Sequence, residues 1–155
     1  MGPMTTTVTG IAGFESLVGQ HLGWSEPVEI TQEQVNTFAE ATGDHQWIHV
    51  DPERAKGGPF GGPIAHGYLT LSMGAALVPQ VVDVHGVSMA VNYGLGKVRF
   101  PSPVPVGSTL RMGAELAAFE RLGDTSGQAT FVLTFEVVGA AKPSCVAEVI
   151  FRYYE

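Results

Sequence analysis

The feature that most constrains the fold of this chain is an apolar stretch over residues 64–82. Its apolar side chains point in every direction around a helical wheel; they are Tyr68, Leu69, Leu71, Met73, Ala75, Ala76, Leu77 and Val78. A helix that is apolar on every face is buried on all sides. The rest of the chain is therefore expected to wrap around this helix.

A membrane span is not predicted here, although residues 57–82 contain no Asp, Glu, Lys or Arg. Glycines, prolines and His66 interrupt the first half of this uncharged stretch. About fifteen mostly apolar residues remain, fewer than the roughly twenty that a bilayer core requires.

Four later segments supply the material that can wrap the helix. They are rich in β-branched and aromatic residues, which is typical of strands, and they cover residues 87–100, 109–122, 128–138 and 144–154. Residues 123–127 have the composition of a hairpin loop. Residues 101–107 contain three prolines and are predicted to be a tight connection. This order of segments predicts an antiparallel meander.

The other helices are predicted before the apolar stretch. Thr31 and Gln34 form a capping-box pattern followed by apolar residues at helical spacing, which predicts an amphipathic helix over residues 31–41. Residues 44–51 are predicted to be a loop, and a proline suits the first turn of a short helix over residues 52–56.

Together these elements predict an α+β fold, in which a strongly curved antiparallel sheet wraps around one apolar helix. The chain has 155 residues, which fits a single domain, and we predict that domain over residues 5–155. Residues 1–4 contain a second possible start and look like a remnant of cloning. Apolar residues make up 45% of the chain and charged residues 15%, so long disordered segments are not expected.

Charge and cysteine content limit the partners and the compartment. The net charge is −7 and the basic residues are scattered, so nucleic acid is not an expected partner. An anionic substrate stays possible, because the local field decides contact. The single cysteine, Cys145, has no partner for an internal disulfide, and no secretory signal pattern opens the sequence. We expect a reducing cytoplasm, and a core position for Cys145.

Asp44 and His49 are the strongest candidates for chemistry, because they lie five residues apart in a loop that follows a glycine. Loops held by rigid elements tend to carry catalytic groups. If the loop folds back, the two side chains converge on one water and act as an acid–base pair near neutral pH. The alternative is that Asp44 caps the next turn and His49 is a structural histidine. Spacing alone favours this alternative.

Residues 61–68 are the second candidate, because their glycines lead straight into the apolar helix. Free N–H groups at a helix start can stabilise an oxyanion, and Gly67 has no side chain to block a carbonyl from its amide. The alternative is that the glycines only permit a tight entry to the helix. For His66 we favour a structural role.

Several familiar motifs are missing from the sequence, including a G-x-S-x-G elbow, a P-loop, H-E-x-x-H and paired cysteines. A metal site formed by Asp44 with three nearby histidines, His45, His49 and His66, would match no standard ligand spacing. Basic side chains near the site in sequence could contact substrate phosphates, although solvated positions are the simpler interpretation; they are Arg54, Lys56, Lys97 and Arg99.

Residues 43–52, Gly-Asp-His-Gln-Trp-Ile-His-Val-Asp-Pro, resemble the motif of the MaoC-like or (R)-specific enoyl-CoA hydratases of the hot-dog fold. That motif has Gly-Asp, one variable residue, Asn-Pro, an apolar residue, His and a later Asp-Pro. Residues 63–67 and 98–107 also look like this family, in the same order. The resemblance covers residues 28–153 and implies a hot-dog fold.

The resemblance also implies residue roles. His49 would activate a water for attack at the β-carbon, Asp44 would hold that water and help to move the α-proton, and the Gly67 N–H would bind the thioester oxygen. The residues expected to bind substrate are Gln46, Ile64, His66, Tyr68 and Arg99. Gln46 and Trp47 depart from the family pattern, which has Asn and Pro at these positions.

The reaction implied by the resemblance is reversible hydration of a trans-2-enoyl-CoA to the (3R)-3-hydroxyacyl-CoA in fatty acid metabolism. No metal or redox cofactor is expected, since the thioester itself acidifies the α-proton and coenzyme A is part of the substrate. We expect a homodimer. The alternatives are a hot-dog acyl-CoA thioesterase and a non-catalytic acyl-binding or heteromeric dehydratase subunit. The presence of both Asp44 and His49 weighs against a non-catalytic subunit.

Overall fold

The structure, a computed structural model, describes residues 4–155. The strands are β1 (Thr6–Thr9), β2 (His21–Trp24), β3 (Val28–Glu29), β4 (Val82–His85), β5 (Met89–Arg99), β6 (Thr109–Arg121), β7 (Ser126–Val137) and β8 (Cys145–Tyr154). The helices are α1 (Gln32–Thr42), α2 (Trp47–Val50), α3 (Pro52–Lys56), α4 (Gly67–Ser72) and α5 (Gly74–Val81), with one 3-10 helix at Ile11–Leu17. In the described part of the chain, no helix is long and apolar enough to cross a membrane.

The suggested cloning remnant, residues 1–4, falls largely outside the described residues. Its last residue, Met4, donates its backbone N–H to the carbonyl of Trp24 at 3.0 Å. The domain range over residues 5–155 stays a prediction.

The predicted amphipathic helix is confirmed as α1. The hydroxyl oxygen of Thr31 accepts from the backbone N–H of Gln34 at 3.1 Å, as the capping pattern predicts. The side chain of Gln34 does not return to the cap, because its amide nitrogen lies 4.0 Å from the sulfur of Met73. Gly43 ends the helix with φ of 85° and donates its N–H to Ala39 at 2.8 Å.

A curved antiparallel sheet forms the other layer, in the order β2-β6-β7-β8-β5, with β3 also paired to β6. This confirms the α+β prediction. The predicted meander holds for β6, β7 and β8 but is wrong for β5, which pairs with β8 instead of β6.

The connection between β5 and β6 explains the difference. Its prolines cannot form a hairpin ladder, so the segment crosses the end of the sheet and binds the backbone that leads into α4. The N–H of Ala65 donates to Val104 at 2.8 Å, and the N–H of Val106 donates to Pro63 at 2.9 Å. The prediction of a tight connection is therefore wrong.

The apolar stretch forms two consecutive helices, α4 and α5, on the inner face of the sheet. Leu69, Leu77 and Val81 are buried there, and Gly74 allows a close approach because an added Cβ would lie 3.1 Å from Leu133. The opposite side of the helices is exposed; it carries Tyr68, Ser72, Ala75, Ala76 and Pro79. The prediction of burial on all sides is wrong for one copy of the chain, because the sheet covers only one side.

The N-terminal elements were not predicted from the sequence. β1 pairs in parallel with β4, which follows α5 directly. The 3-10 helix inserts Phe14 fully into the core, where its ring lies 5.2 Å from Phe119 and 4.9 Å from Tyr153. Phe14 therefore packs the N-terminal segment against the sheet.

Replacing Phe14 with alanine should lower the free energy of unfolding by about 3–5 kcal/mol, because the substitution leaves a cavity among packed rings. Urea denaturation measures the change. Val138→Ala is the control, since Val138 is 54% exposed and its loss should have little effect. Equal losses in the two variants would contradict the placement of Phe14.

Candidate active site

The segment after α1 places two candidate residues differently. Asp44 is exposed in the short loop that follows Gly43, whereas His49 lies in α2 and is buried. The prediction of a loop over residues 44–51 is therefore wrong for Trp47–Val50, which form one helical turn. That turn points His49 inward.

The ring of His49 is held in one tautomer. Its Nδ1 lies 2.7 Å from the backbone oxygen of Ile64, and a carbonyl oxygen only accepts, so Nδ1 donates. Nε2 of neutral His49 therefore carries the lone pair, as a general base requires. The side-chain amide of Gln32 donates to the backbone oxygen of His49 at 2.8 Å and fixes the turn further.

His66 links the two candidate residues. Its ring stacks on His49 at 3.9 Å between centroids, with 24° between the planes, and it lies 4.8 Å from the ring of Phe38. Its Nε2 donates to the backbone oxygen of Asp44 at 3.0 Å. Burial lowers the pKa of His66 below its ordinary value of 6.5, and the nearby His49 lowers it further, against the hydrogen bond to Asp44. His66 is thus a neutral support for both residues.

The carboxylate of Asp44 completes the group. Ligand-type atoms of Asp44, His49 and His66 all lie within 4.8 Å of one another. Oδ1 of Asp44 also accepts from the N–H of Gln46 at 3.4 Å, the turn-capping contact of the structural alternative. Asp44 can therefore cap the turn and also belong to an acid–base pair, because one carboxylate oxygen accepts from the turn while the side chain stays beside the histidines.

These three residues are of the types that bind metals, but the ring geometry fits an ion poorly. The lone pairs of imidazoles lie in the ring planes. Two planes 24° apart and stacked at 3.9 Å do not meet within the roughly 2.0–2.1 Å of a zinc–nitrogen bond. His45 is not part of this group, and its Nε2 lies 3.7 Å from a carboxylate oxygen of Glu40. The absence of a cofactor stays a prediction.

A cavity of about 320 Å³ lies in front of His49. Its walls are mostly apolar and carry a few hydroxyl groups; it is lined by His49, Phe60, Ile64, Ala65, Gly67, Thr70, Phe100, Pro101, Ser102, Pro103, Val104 and Ser144. Gly67 is the first residue of α4, so its N–H has no acceptor within the helix. The ring of Phe100 would lie 3.2 Å from a Cβ at Gly67, which leaves little room for any side chain there.

The structure brings Asp44 and His66 next to His49, and His49 lines the cavity together with Ile64 and Gly67. Asp44 and His66 are not among the residues that line this cavity, and neither are Tyr68 and Arg99. Tyr68 is 73% exposed and lines a groove between α4 and the sheet. Arg99 pairs with Val146 on the face of the sheet that points away from the core, in a groove with Lys97 and Glu148.

Gln46 is exposed, and its backbone N–H donates to Oδ1 of Asp44 at 3.4 Å. Trp47 packs beside Gly58, and the guanidinium of Arg54 lies 4.4 Å from the centre of its ring. Cys145 is fully buried, as predicted, and burial raises the pKa of its thiol to about 11.

Sequence reasoning missed nine of the twelve residues that line the cavity, among them Phe60, Thr70, Phe100 and Ser144. Phe60 lies in the glycine- and proline-rich approach to α4, and Phe100 directly follows β5 in the segment that resembles the family, so both had a signal in the sequence. Ser144 had none, because only the pairing of β7 with β8 places it beside α4.

Comparison with known proteins identifies the class. Residues 13–136 match the MaoC like domain, and the chain belongs to the MaoC-like dehydratase family. It is 56% identical over 147 residues to "3-hydroxyacyl-thioester dehydratase Z" of Mycobacterium tuberculosis, covering 95% of this chain and 97% of that protein.

Two solved structures confirm the hot-dog fold. A monoamine oxidase regulatory protein from Archaeoglobus has a TM-score of 0.81 at 27% identity, and the match covers 98% of each chain. The R-hydratase PhaJ1 from Pseudomonas aeruginosa has a TM-score of 0.71 at 25% identity, covering 94% of this chain and 86% of that one.

The lowered pKa of His66 predicts a pH dependence of stability. Below about pH 6.5 this histidine is protonated in the unfolded chain but stays neutral in the folded chain. The free energy of unfolding therefore falls as the pH falls towards the pKa of the folded state. His66→Gln does not titrate, and its stability should fall less between about pH 7 and pH 5. Urea denaturation across this range measures both slopes. Equal slopes would contradict a buried neutral His66.

Proposed function

We propose that this protein catalyses reversible hydration of a trans-2-enoyl thioester to the (3R)-3-hydroxyacyl thioester, with coenzyme A as the carrier. The proposal rests on one observation: the carboxylate of Asp44 lies close to the ring of His49. The tautomer of that ring leaves Nε2 free to accept a proton. Family membership, and the names of the M. tuberculosis dehydratase and the P. aeruginosa hydratase, support this chemistry.

In the hydration direction, a water lies between Asp44 and His49. Nε2 of His49 takes one proton from the water as its oxygen bonds to the β-carbon. The electron pair of the double bond moves towards the thioester, and the developing negative charge on its oxygen is stabilised by the N–H of Gly67. A proton is then transferred from the Asp44–His49 pair to the α-carbon. The net reaction adds one water across the double bond without any co-reactant.

The contacts of the site suit this sequence of steps. His49 becomes cationic when it accepts the proton, and the exposed carboxylate of Asp44 is close enough to stabilise that charge. His66 stays neutral, because its pKa is lowered, and so adds no second positive charge beside the ring. The backbone N–H of Gln46 orients Asp44, and because any residue here has this N–H, the contact tolerates the departure from the family motif at this position.

Asp44→Asn and His49→Ala should each lower kcat/KM for crotonyl-CoA by at least about a hundredfold, because each removes a positioned acid–base group. The loss of enoyl absorbance measures turnover. His45→Ala is a matched control, since His45 lies in the same loop but contacts Glu40, and it should retain activity. Full activity in either test variant would exclude the mechanism, and release of free thiol without hydration would indicate a thioesterase.

We also infer that two copies of the chain form the active protein. β5 is an eleven-residue edge strand that pairs with β8 alone among residues 4–155, and exposed apolar side chains line it. These side chains are Met89, Val91, Tyr93 and Leu95. Leu95 lines one groove with Tyr68 and Ala75 from the uncovered side of α4 and α5. An apolar helix side next to an open sheet edge suits a second copy, which would cover both.

Leu95→Glu should therefore yield a monomer, because it buries a charge in the proposed interface. Sedimentation equilibrium measures the mass of the wild type and the variant. Leu122→Glu is the control, because Leu122 is exposed to a similar degree, 40% against 48%, but follows β6 far from this groove. A monomeric wild type, or identical masses for the two variants, would contradict the inference.

A further inference from the structure

One polar side chain inside the reaction cavity has no role in the steps above. Ser144 precedes β8 and is 2% exposed, yet it lines the same cavity as His49 and Gly67. Its Oγ has no hydrogen-bond partner among residues 4–155. Its backbone N–H donates to Phe135 at 2.8 Å, so the pairing of β7 and β8 fixes where the hydroxyl lies.

A hydroxyl in this position is costly for the empty protein. A buried hydroxyl without a partner loses its hydration and gains no hydrogen bond in return. The same cavity is lined by the apolar Phe100, Pro103 and Val104, and an alanine at position 144 would be buried without that cost. The hydroxyl is therefore best explained by a partner that arrives with the ligand.

We propose that Ser144 is a substrate-binding residue that forms a hydrogen bond with a polar group of the bound thioester. This assignment rests on the proposed function. The hydroxyl can both donate and accept, so it suits an amide of the pantetheine arm or an oxygen carried by the acyl chain. The thioester oxygen itself is taken by Gly67 in the mechanism above. Ser144 would thus hold the substrate at a second point, away from the reacting carbons.

Ser144→Ala tests this assignment with three substrates. These are crotonyl-CoA, the ethanethiol thioester of crotonic acid, which has no amides, and 4-hydroxycrotonyl-CoA, which adds an oxygen to the acyl chain. Loss of one neutral hydrogen bond should lower kcat/KM by roughly 3- to 10-fold. A loss with both coenzyme A thioesters but not with the ethanethiol thioester identifies a pantetheine amide. A loss with 4-hydroxycrotonyl-CoA alone identifies an acyl oxygen.

Equal kcat/KM for wild type and Ser144→Ala with all three substrates would overturn the assignment, and so would an equal loss with all three. Ser16→Ala, at an exposed position of the 3-10 helix, is the matched control. The thermal midpoint of unliganded Ser144→Ala should equal or exceed that of the wild type, whereas a hydroxyl with a structural bond would lower it on removal.

The two proposals fail in different ways. A wild type that does not hydrate any of the three thioesters overturns the proposed function. In that case calorimetric binding of crotonyl-CoA and 4-hydroxycrotonyl-CoA to wild type and Ser144→Ala still tests the serine. A larger Kd for the variant than for the wild type with either ligand supports the assignment, and equal Kd values with both ligands overturn it.

Discussion

The hydrogen bond between His49 Nδ1 and the carbonyl of Ile64 is the contact on which the site depends. It joins the short helix after α1 to the segment that leads into α4. Two backbone bonds extend the link: Ile64 donates to Ile48 at 3.0 Å, and Ala65 donates to Val104 at 2.8 Å. Three segments that are distant in sequence thus meet beside one imidazole, and the same bond determines which of its nitrogens is free to accept a proton.

The stacked His66 extends this arrangement to Asp44. A charged neighbour at 3.9 Å would oppose protonation of His49, but burial keeps His66 neutral. Its second contact, to the backbone of Asp44, sets the position of the carboxylate without occupying the carboxylate oxygens. A side chain that could be taken for a ligand of substrate or metal therefore acts as a support for the two residues that are proposed to react.

Local patterns predicted what local interactions determine. The cap at Thr31 was visible in the sequence because its partner lies three residues away, and the apolar stretch correctly indicated a sheet wrapped over a helix. The proximity of Asp44 and His49 was suggested by their short separation in sequence, whereas the contacts to Ile64 and His66 that position them come from a later segment and were not predicted. The partner of β5 was not predictable in this way, since strand pairing depends on contacts between distant segments. The same limit applies to Ser144, which reaches the cavity only through strand pairing. The burial of α4 and α5 was overestimated from the sequence. An apolar helix face can be covered by the same chain or by a second copy, and the sequence pattern is the same in both cases.

The reaction itself is tested most directly by NMR analysis of the product formed from crotonyl-CoA in deuterated water. We expect (3R)-3-hydroxybutyryl-CoA with a single deuterium at the α-carbon, because the water supplies the β-hydroxyl and the solvent-exchanged Asp44–His49 pair supplies the α-hydrogen. Crotonate with free coenzyme A, the (3S) product, or unchanged substrate would contradict this expectation.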